Sequence, residues 1–353
     1  AQTDRRSFTT LWRHTMNAHT DRRSLLKQTL AGAGAALLAG RSAAGADTHP
    51  DAAGNRSADD EPAAAPEFSA YAFGANIWVR IDNRVFTCYR ANADQKYPYL
   101  YPLTGPATGL SMTDETCEPW PHHRSVFFGC DRVNGANYWQ EGNDRGQIVS
   151  RGPKLEPLKG RKDASAPGGV TITDICDWRV PGQSPVIEDR RRYTISAPSR
   201  DLRLLDVDIT VTAKVDIHIS RTNHSLFGIR AARELAPVGG GMLINSKGQI
   251  GEKATFGQPA NWCGYQGRRL GIVESIVVMD HPNNPWAPDC PWFTRDYGNI
   301  SPTPFLWIDE QKGWDLPVGK SIRMLYRVVV TKGEIEQAAM DRLWEAFAKA
   351  EQA

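Results

Sequence analysis

The stretch LDVDITVTAKVDIHIS, residues 205–220, decides the fold. Leu205, Val207, Ile209, Val211, Ala213, Val215, Ile217 and Ile219 occupy the odd positions. Asp206, Asp208, Thr210, Thr212, Lys214, Asp216, His218 and Ser220 occupy the even ones. Successive side chains of a strand point to opposite faces, so a period of two predicts one long strand with a buried and a solvated face. A helix would scatter the same apolar residues around its circumference.

Further strands are expected on both sides of it, over residues 77–81, 84–89, 170–178, 191–197, 225–231, 270–279, 305–308 and 321–330. Asp82-Asn83 suits a two-residue hairpin turn, and Ser246-Lys247-Gly248 punctuates residues 242–250 in the same way. Long antiparallel strands between Gly/Pro loops predict a mainly β protein, a large antiparallel two-sheet β-sandwich. One helix is expected at the C-terminus. Thr331 and Glu334 have capping-box spacing, and Ile335, Ala339, Leu343 and Phe347 then recur every four residues.

The N-terminal residues speak to compartment. Thr20-Asp21-Arg22-Arg23-Ser24-Leu25-Leu26-Lys27 resembles a twin-arginine export signal, followed by an apolar run from Thr29 to Gly40 and an A-x-A site at Ala44-Gly45-Ala46. That run is too short to span a membrane. Residues 1–46 are therefore expected to be an extension plus signal peptide, and residues 47–66, poor in large apolar side chains, a flexible linker. Residues 67–353 make the sandwich domain, without a membrane span once the signal is removed. Charge is balanced, 42 basic against 40 acidic residues, net +2, which leaves no electrostatic footprint for nucleic acid. The six cysteines lie in the exported part, where either disulfides or buried free thiols are consistent with a domain of this size. No C-x-x-C pair or glycine-rich dinucleotide fingerprint occurs, so neither a metal nor a cofactor is expected.

Four blocks carry candidate chemistry. In Pro119-Trp120-Pro121-His122-His123-Arg124 two prolines stiffen the approach to the apolar run Val126-Phe127-Phe128. Adjacent strand residues diverge, so one of His122 and His123 is expected to enter a site, and the sequence does not say which. In the second block His224, Leu226, Gly228 and Arg230 would share one strand face, Gly228 leaving room for a ligand. The third, Asn261 to Tyr265, is read as a loop presenting Trp262 and Tyr265. The fourth runs from Asp280-His281 through Asn284 and Trp286 to Arg295-Asp296-Tyr297-Gly298, stiffened by four prolines. Eleven tryptophans, several of them in these blocks, suit stacking on the C–H faces of sugar rings.

Tyr97 to Leu103 with Pro121-His122-His123-Arg124-Ser125, Phe227-Gly228-Ile229-Arg230, Asn245-Ser246-Lys247-Gly248, Asp280-His281-Pro282 with Asn284-Pro285, and Arg295-Asp296-Tyr297-Gly298 together resemble the bacterial PmoA-like family of uncharacterised exported proteins. The resemblance covers roughly residues 68–330. That family's name comes from a membrane-embedded methane mono-oxygenase subunit, a function this chain lacks the spans for. The resemblance implies carbohydrate metabolism, because such proteins often occur beside sugar oxidoreductases and sugar-isomerase-like proteins. Where the family carries an acidic residue after its tryptophan turn, this chain has Trp262-Cys263-Gly264.

The expected function is thus an exported carbohydrate-active enzyme working on a sugar or glycoside by acid–base chemistry, through hydrolysis, elimination or epimerisation. His122, His123, Asp280 and His281 are the candidate proton-transfer residues. Arg124, His224, Arg230, Trp262, Tyr265, Asn284, Trp286 and Arg295 are the candidate ligand contacts. The alternatives are a non-catalytic carbohydrate-binding protein using the same aromatic residues, and a structural protein with inert histidines. The blocks are expected to converge, His122 or His123 meeting Arg230 and Asp280 or His281 in one concavity.

Overall fold

The computed structural model describes residues 65–140, 142–156 and 168–350. The twin-arginine motif, the cleavage site and nearly all of the linker lie outside them. The chain forms a mainly β sandwich of two large antiparallel sheets with one main helix at its C-terminal end. The eight-stranded sheet runs Phe68–Phe73, Asn76–Ile81, Arg84–Arg90, Tyr99–Leu103, Val126–Cys130, Ser225–Arg230, Asn299–Pro302, Trp292–Thr294. The nine-stranded sheet runs Met242–Asn245, Trp262–Arg269, Ile272–Asp280, Ser321–Lys332, Leu202–Ala213, Ile187–Ser199, Gly169–Arg179, Gln147–Ser150, with Lys154–Glu156 pairing beside Gly169–Arg179.

The alternation that announced the fold holds over Leu202–Ala213. Leu205, Val207, Ile209 and Val211 are buried between the sheets, and the even positions face out. There Asp206 takes a bidentate ion pair from Arg327 (2.6 and 2.9 Å), and Asp208 one from Arg323 (2.9 and 2.6 Å). Beyond Ala213 the expected single strand breaks. Its two neighbours stop at Ile187 and Ser321, so no ladder remains to continue it, and Val215 is exposed. Residues Ile217–Ile219 pair instead with Trp314–Leu316 in a separate two-stranded sheet. Residues 305–308, expected as a strand, form turns in which Phe305 packs into the core. The hairpin at Asp82-Asn83 forms as expected, both residues adopting positive φ (49° and 59°).

The C-terminal helix starts later than its capping-box pattern implied, at Gln337, because Thr331 is still inside the strand Ser321–Lys332. Its apolar stripe nonetheless does what the period predicts. Met340 and Phe347 bury against Trp262, Val277, Met279, Leu325 and Val329 on the outer face of the nine-stranded sheet. All six cysteines are free thiols.

Candidate active site

Phe128 lies against Trp178 (5.9 Å between ring centres) and Phe227 stacks on Tyr326 (4.6 Å), so both face the nine-stranded sheet. Strand alternation then turns Phe127 and Gly228 to the opposite, outer face of the eight-stranded sheet. An aromatic and histidine cluster is built on that face. Trp139 meets Phe127 edge to face at 4.7 Å and stacks on His224 at 5.7 Å. His123 approaches Phe127 at 6.0 Å, Trp139 at 6.4 Å and Tyr297 at 6.1 Å. His122 lies 4.5 Å from His123 and 6.0 Å from His224, and Trp120, 45% exposed, stands 6.0 Å from His122 at the rim. The Arg230 guanidinium sits 4.6 Å from the centre of the Tyr297 ring.

Two expectations about this region change. His122 and His123 belong to a turn, closed by the His123 N–H on the Trp120 carbonyl, and not to the strand Val126–Cys130 that follows. Turn geometry does not force neighbouring side chains apart, so both rings enter one cluster. Gly228 opens no ligand space. A Cβ there would lie 3.2 Å from Phe127 Cζ and 3.4 Å from Trp139 Cη2, so its missing side chain is what lets these rings pack on the strand. His224, Gly228 and Arg230 share the face as expected, whereas Leu226 turns toward Cys130 and Trp178 between the sheets.

The polar groups of the cluster are unusually arranged. His224 Nδ1 lies 2.9 Å from Asp131 Oδ2, and the other Asp131 oxygen accepts from the Thr222 hydroxyl. The Thr222 hydroxyl oxygen in turn accepts the His224 N–H at 3.0 Å. With Nδ1 engaged by a carboxylate, Nε2 is the ring nitrogen left for a ligand. His123 is only 2% exposed. Burial, together with His122, Arg230 and His224 nearby, lowers its pKa to about 2, so the ring is neutral. Both nitrogens of His123, Nε1 of Trp139, and Nε and Nη1 of Arg230 are buried without a hydrogen-bond partner among the described residues. Buried polar atoms are normally satisfied, so five orphans in one cluster of the described residues make this the candidate place for a ligand. Burial also pushes the Tyr297 hydroxyl up to about 12, keeping it a neutral donor. Next to the cluster Arg124 lies over the Tyr99 ring, and Arg90 grips Glu115 through two 3.0 Å contacts.

The remaining sequence candidates lie elsewhere. Residues 261–265 are not a loop. Trp262–Arg269 is a strand paired on both edges, and Trp262 is fully buried beneath the helix, its Nε1 donating to Asp341. Tyr265 places its hydroxyl 2.6 and 3.0 Å from the Arg295 and Asn299 carbonyls. Trp286 packs on Phe305 and Trp314 as core. Arg295 pairs with Glu252 at 2.6 Å and also interacts with the Tyr297 side chain at the border of the cluster. Asp280 and His281 do not converge with the histidine cluster. They end a strand of the other sheet, where Asn284 donates to Asp280 at 2.5 Å and the His281 ring meets Phe347 of the helix. The convergence of His122, His123 and Arg230 therefore occurs with His224 and Asp131 in place of Asp280 and His281. A cleft of about 310 Å³ beside the helix end, lined by His281, Asn283, Arg323, Leu325 and Lys349, contains none of the clustered residues. Among the described residues no group of three His, Cys, Asp or Glu side chains is placed to hold a metal ion, and no helix is long and apolar enough to cross a membrane.

Asp131, Trp139 and Tyr297 were not singled out in the sequence. Tyr297 stood inside a recognised block, and Asp131 is a polar residue directly following a buried strand. Trp139 gave no signal, since its loop has neither periodicity nor a motif.

Asp280 carries a testable stability effect. Burial raises its carboxyl pKa to about 7, against the pull of the Asn284 amide. The folded state thus prefers the protonated acid. The unfolded chain ionises from about pH 4, so stability is highest below that value and falls until the folded group ionises near 7. Asp280→Asn is expected to flatten this slope, being more stable than the parent above pH 7 and close to it at pH 4. Urea midpoints across pH 4–8 check it, and parallel curves for the two proteins would refute it.

No curated protein matches the chain. Among solved structures it is similar to the galactose 1-epimerase from Lactobacillus acidophilus NCFM, at 11% identity and TM-score 0.35, covering 76% of this chain and 99% of that one. It is also similar to the GalM/aldose epimerase homologue from C. elegans, at 8% identity and TM-score 0.27, covering 77% and 100%. At such scores these likenesses assign no residue of this chain a role. A family model matches residues 76–345, more than half of the sequence, and the chain belongs to that family, the family of unknown function DUF6807.

Proposed function

We propose that this chain is an exported carbohydrate-active enzyme that moves a proton on a sugar ring, by epimerisation or elimination. The observation that carries the reading is the His224–Asp131 pair set against Trp139 in a cluster of unsatisfied buried polar atoms. A carboxylate on Nδ1 fixes the tautomer and the ring orientation and leaves Nε2 for the substrate, the usual arrangement of an imidazole in general acid–base work. His122 supplies a second imidazole 6.0 Å from the first. The exposed ring of Trp120 and the half-buried Tyr297 offer the aromatic surfaces on which sugar C–H faces stack. Hydrolysis by a carboxylate pair fits less well, because Asp131 is held by Thr222 and His224, and Glu115 by Arg90 and Tyr99.

Proton transfer to and from carbon is visible even without net reaction. Incubated in heavy water with a panel of neutral and acidic sugars, the protein is expected to exchange one carbon-bound hydrogen of its substrate for deuterium, read by mass spectrometry and proton NMR. Sugar binding with no exchange and no product across the panel would show instead a carbohydrate-binding protein.

A further inference from the structure

Arg230 is a buried charge with no direct ion pair among the described residues. Its side chain belongs to a residue only 3% exposed; Nη2 donates to the Glu118 backbone carbonyl at 3.1 Å, and the Cys117 thiol also lies within hydrogen-bonding reach of the guanidinium. Nε and Nη1 have no hydrogen-bond partner among the described residues. The described groups around it are neutral apart from Asp114, whose carboxyl feels the Arg230 charge without pairing with it. Tyr297 presents a ring face, and His123 is neutral. Burial raises the pKa of the Cys117 thiol, so it is un-ionised, and Asp114 turns its carboxylate to the Arg233 N–H at 3.1 Å. By contrast, the deeply buried guanidinium of Arg191 pairs bidentately with Asp189 at 2.7 and 2.8 Å. An ion without a direct counter-ion is costly in a protein interior, and a guanidinium with open N–H donors is a natural seat for a carboxylate.

We infer that the site takes a sugar acid, with the ligand carboxylate seated against the open donors of the Arg230 guanidinium. The inference rests on the proposed proton-transfer reading of the cluster and names its substrate class. It also supplies a reason for the chemistry. A hydrogen on the carbon next to a carboxylate is removable only if the charge that develops is stabilised. The C–H bond breaks, its proton goes to His224 Nε2, and the electron pair moves onto the carboxylate as an enediolate held against Arg230. Return of a proton to carbon restores the acid in either configuration.

Calorimetric titration of the full chain tests this with sodium glucuronate, galacturonate and gluconate against glucose, galactose and acetate. At least one sugar acid is expected to bind roughly ten- to a hundredfold tighter than its neutral parent, the scale of a charge-assisted hydrogen bond. This advantage should shrink as salt rises from 50 to 500 mM, and Arg230→Gln should abolish it. Arg230→Lys, which keeps the charge, should retain part of it, so a folding defect in one variant leaves the other and the salt titration decisive. Neutral sugars binding as tightly as the acids, acetate binding as tightly as the sugar acids, or failure of all three acids to bind would overturn the inference. Deuterium exchange into a neutral sugar would then leave the proton-transfer reading standing.

Discussion

His224→Ala is expected to lower turnover on the true substrate by about a hundredfold or more, the range typical of lost general acid–base catalysis. The change deletes the imidazole whose Nδ1 is held by Asp131 and whose Nε2 remains for the ligand. Affinity should change far less, because Trp120, Trp139, Tyr297 and Arg230 stay in place. Asp131→Asn should also be slow, since an amide can no longer accept the Nδ1 proton without turning and so selects the wrong tautomer. Steady-state kinetics with separate binding titrations check both variants. Turnover preserved in His224→Ala would move the proton transfer to His122. His123→Ala is expected to act on binding and stability, because a neutral ring with a pKa near 2 is a poor base.

Arg191→Ala is expected to destabilise the fold by about 3–5 kcal/mol, the usual cost of leaving one partner of a buried ion pair behind. Arg191 and Asp189 are side by side on the strand Ile187–Ser199 with both side chains fully buried, and Trp178 Nε1 donates to the same carboxylate at 2.6 Å. Arg191 also reaches the Pro98 carbonyl at 3.2 Å, on the segment leading into the eight-stranded sheet, so it ties the two sheets together. A double variant, Arg191→Met with Asp189→Leu, should recover much of the loss, since no charge is then stranded. Urea unfolding of the three variants measures this. A cost below about 1 kcal/mol for Arg191→Ala would mean that water reaches Asp189 once the guanidinium is gone.

Much of the architecture was legible because strand alternation is a local property. Leu205 to Val211 could bury one face only as a strand, and Asp82-Asn83 could close a tight turn because both tolerate positive φ. Trp262 to Arg269 was not legible, since a strand with helix packed on one face and sheet on the other shows no polar side to alternate. The fourfold spacing of Ile335, Ala339, Leu343 and Phe347 announced the helix, while its first turn was surrendered to a strand whose ladder extended to Lys332.

The site divides along the same line. Composition, alternation and turn chemistry by themselves determined a mainly β sandwich with a terminal helix, and marked His122, His123, His224 and Arg230 as residues with chemistry to do. Tertiary structure alone decided that these four meet one another, that Asp131 and not Asp280 stands beside the His224 imidazole, and that Trp139 in place of Trp262 forms the aromatic wall of the cluster. Asp280 and Trp262 had the right chemistry and the wrong sheet. Side-chain type is written residue by residue, but which strand faces which depends on pairing between segments about a hundred residues apart, as when Val126–Cys130 takes Ser225–Arg230 for its neighbour.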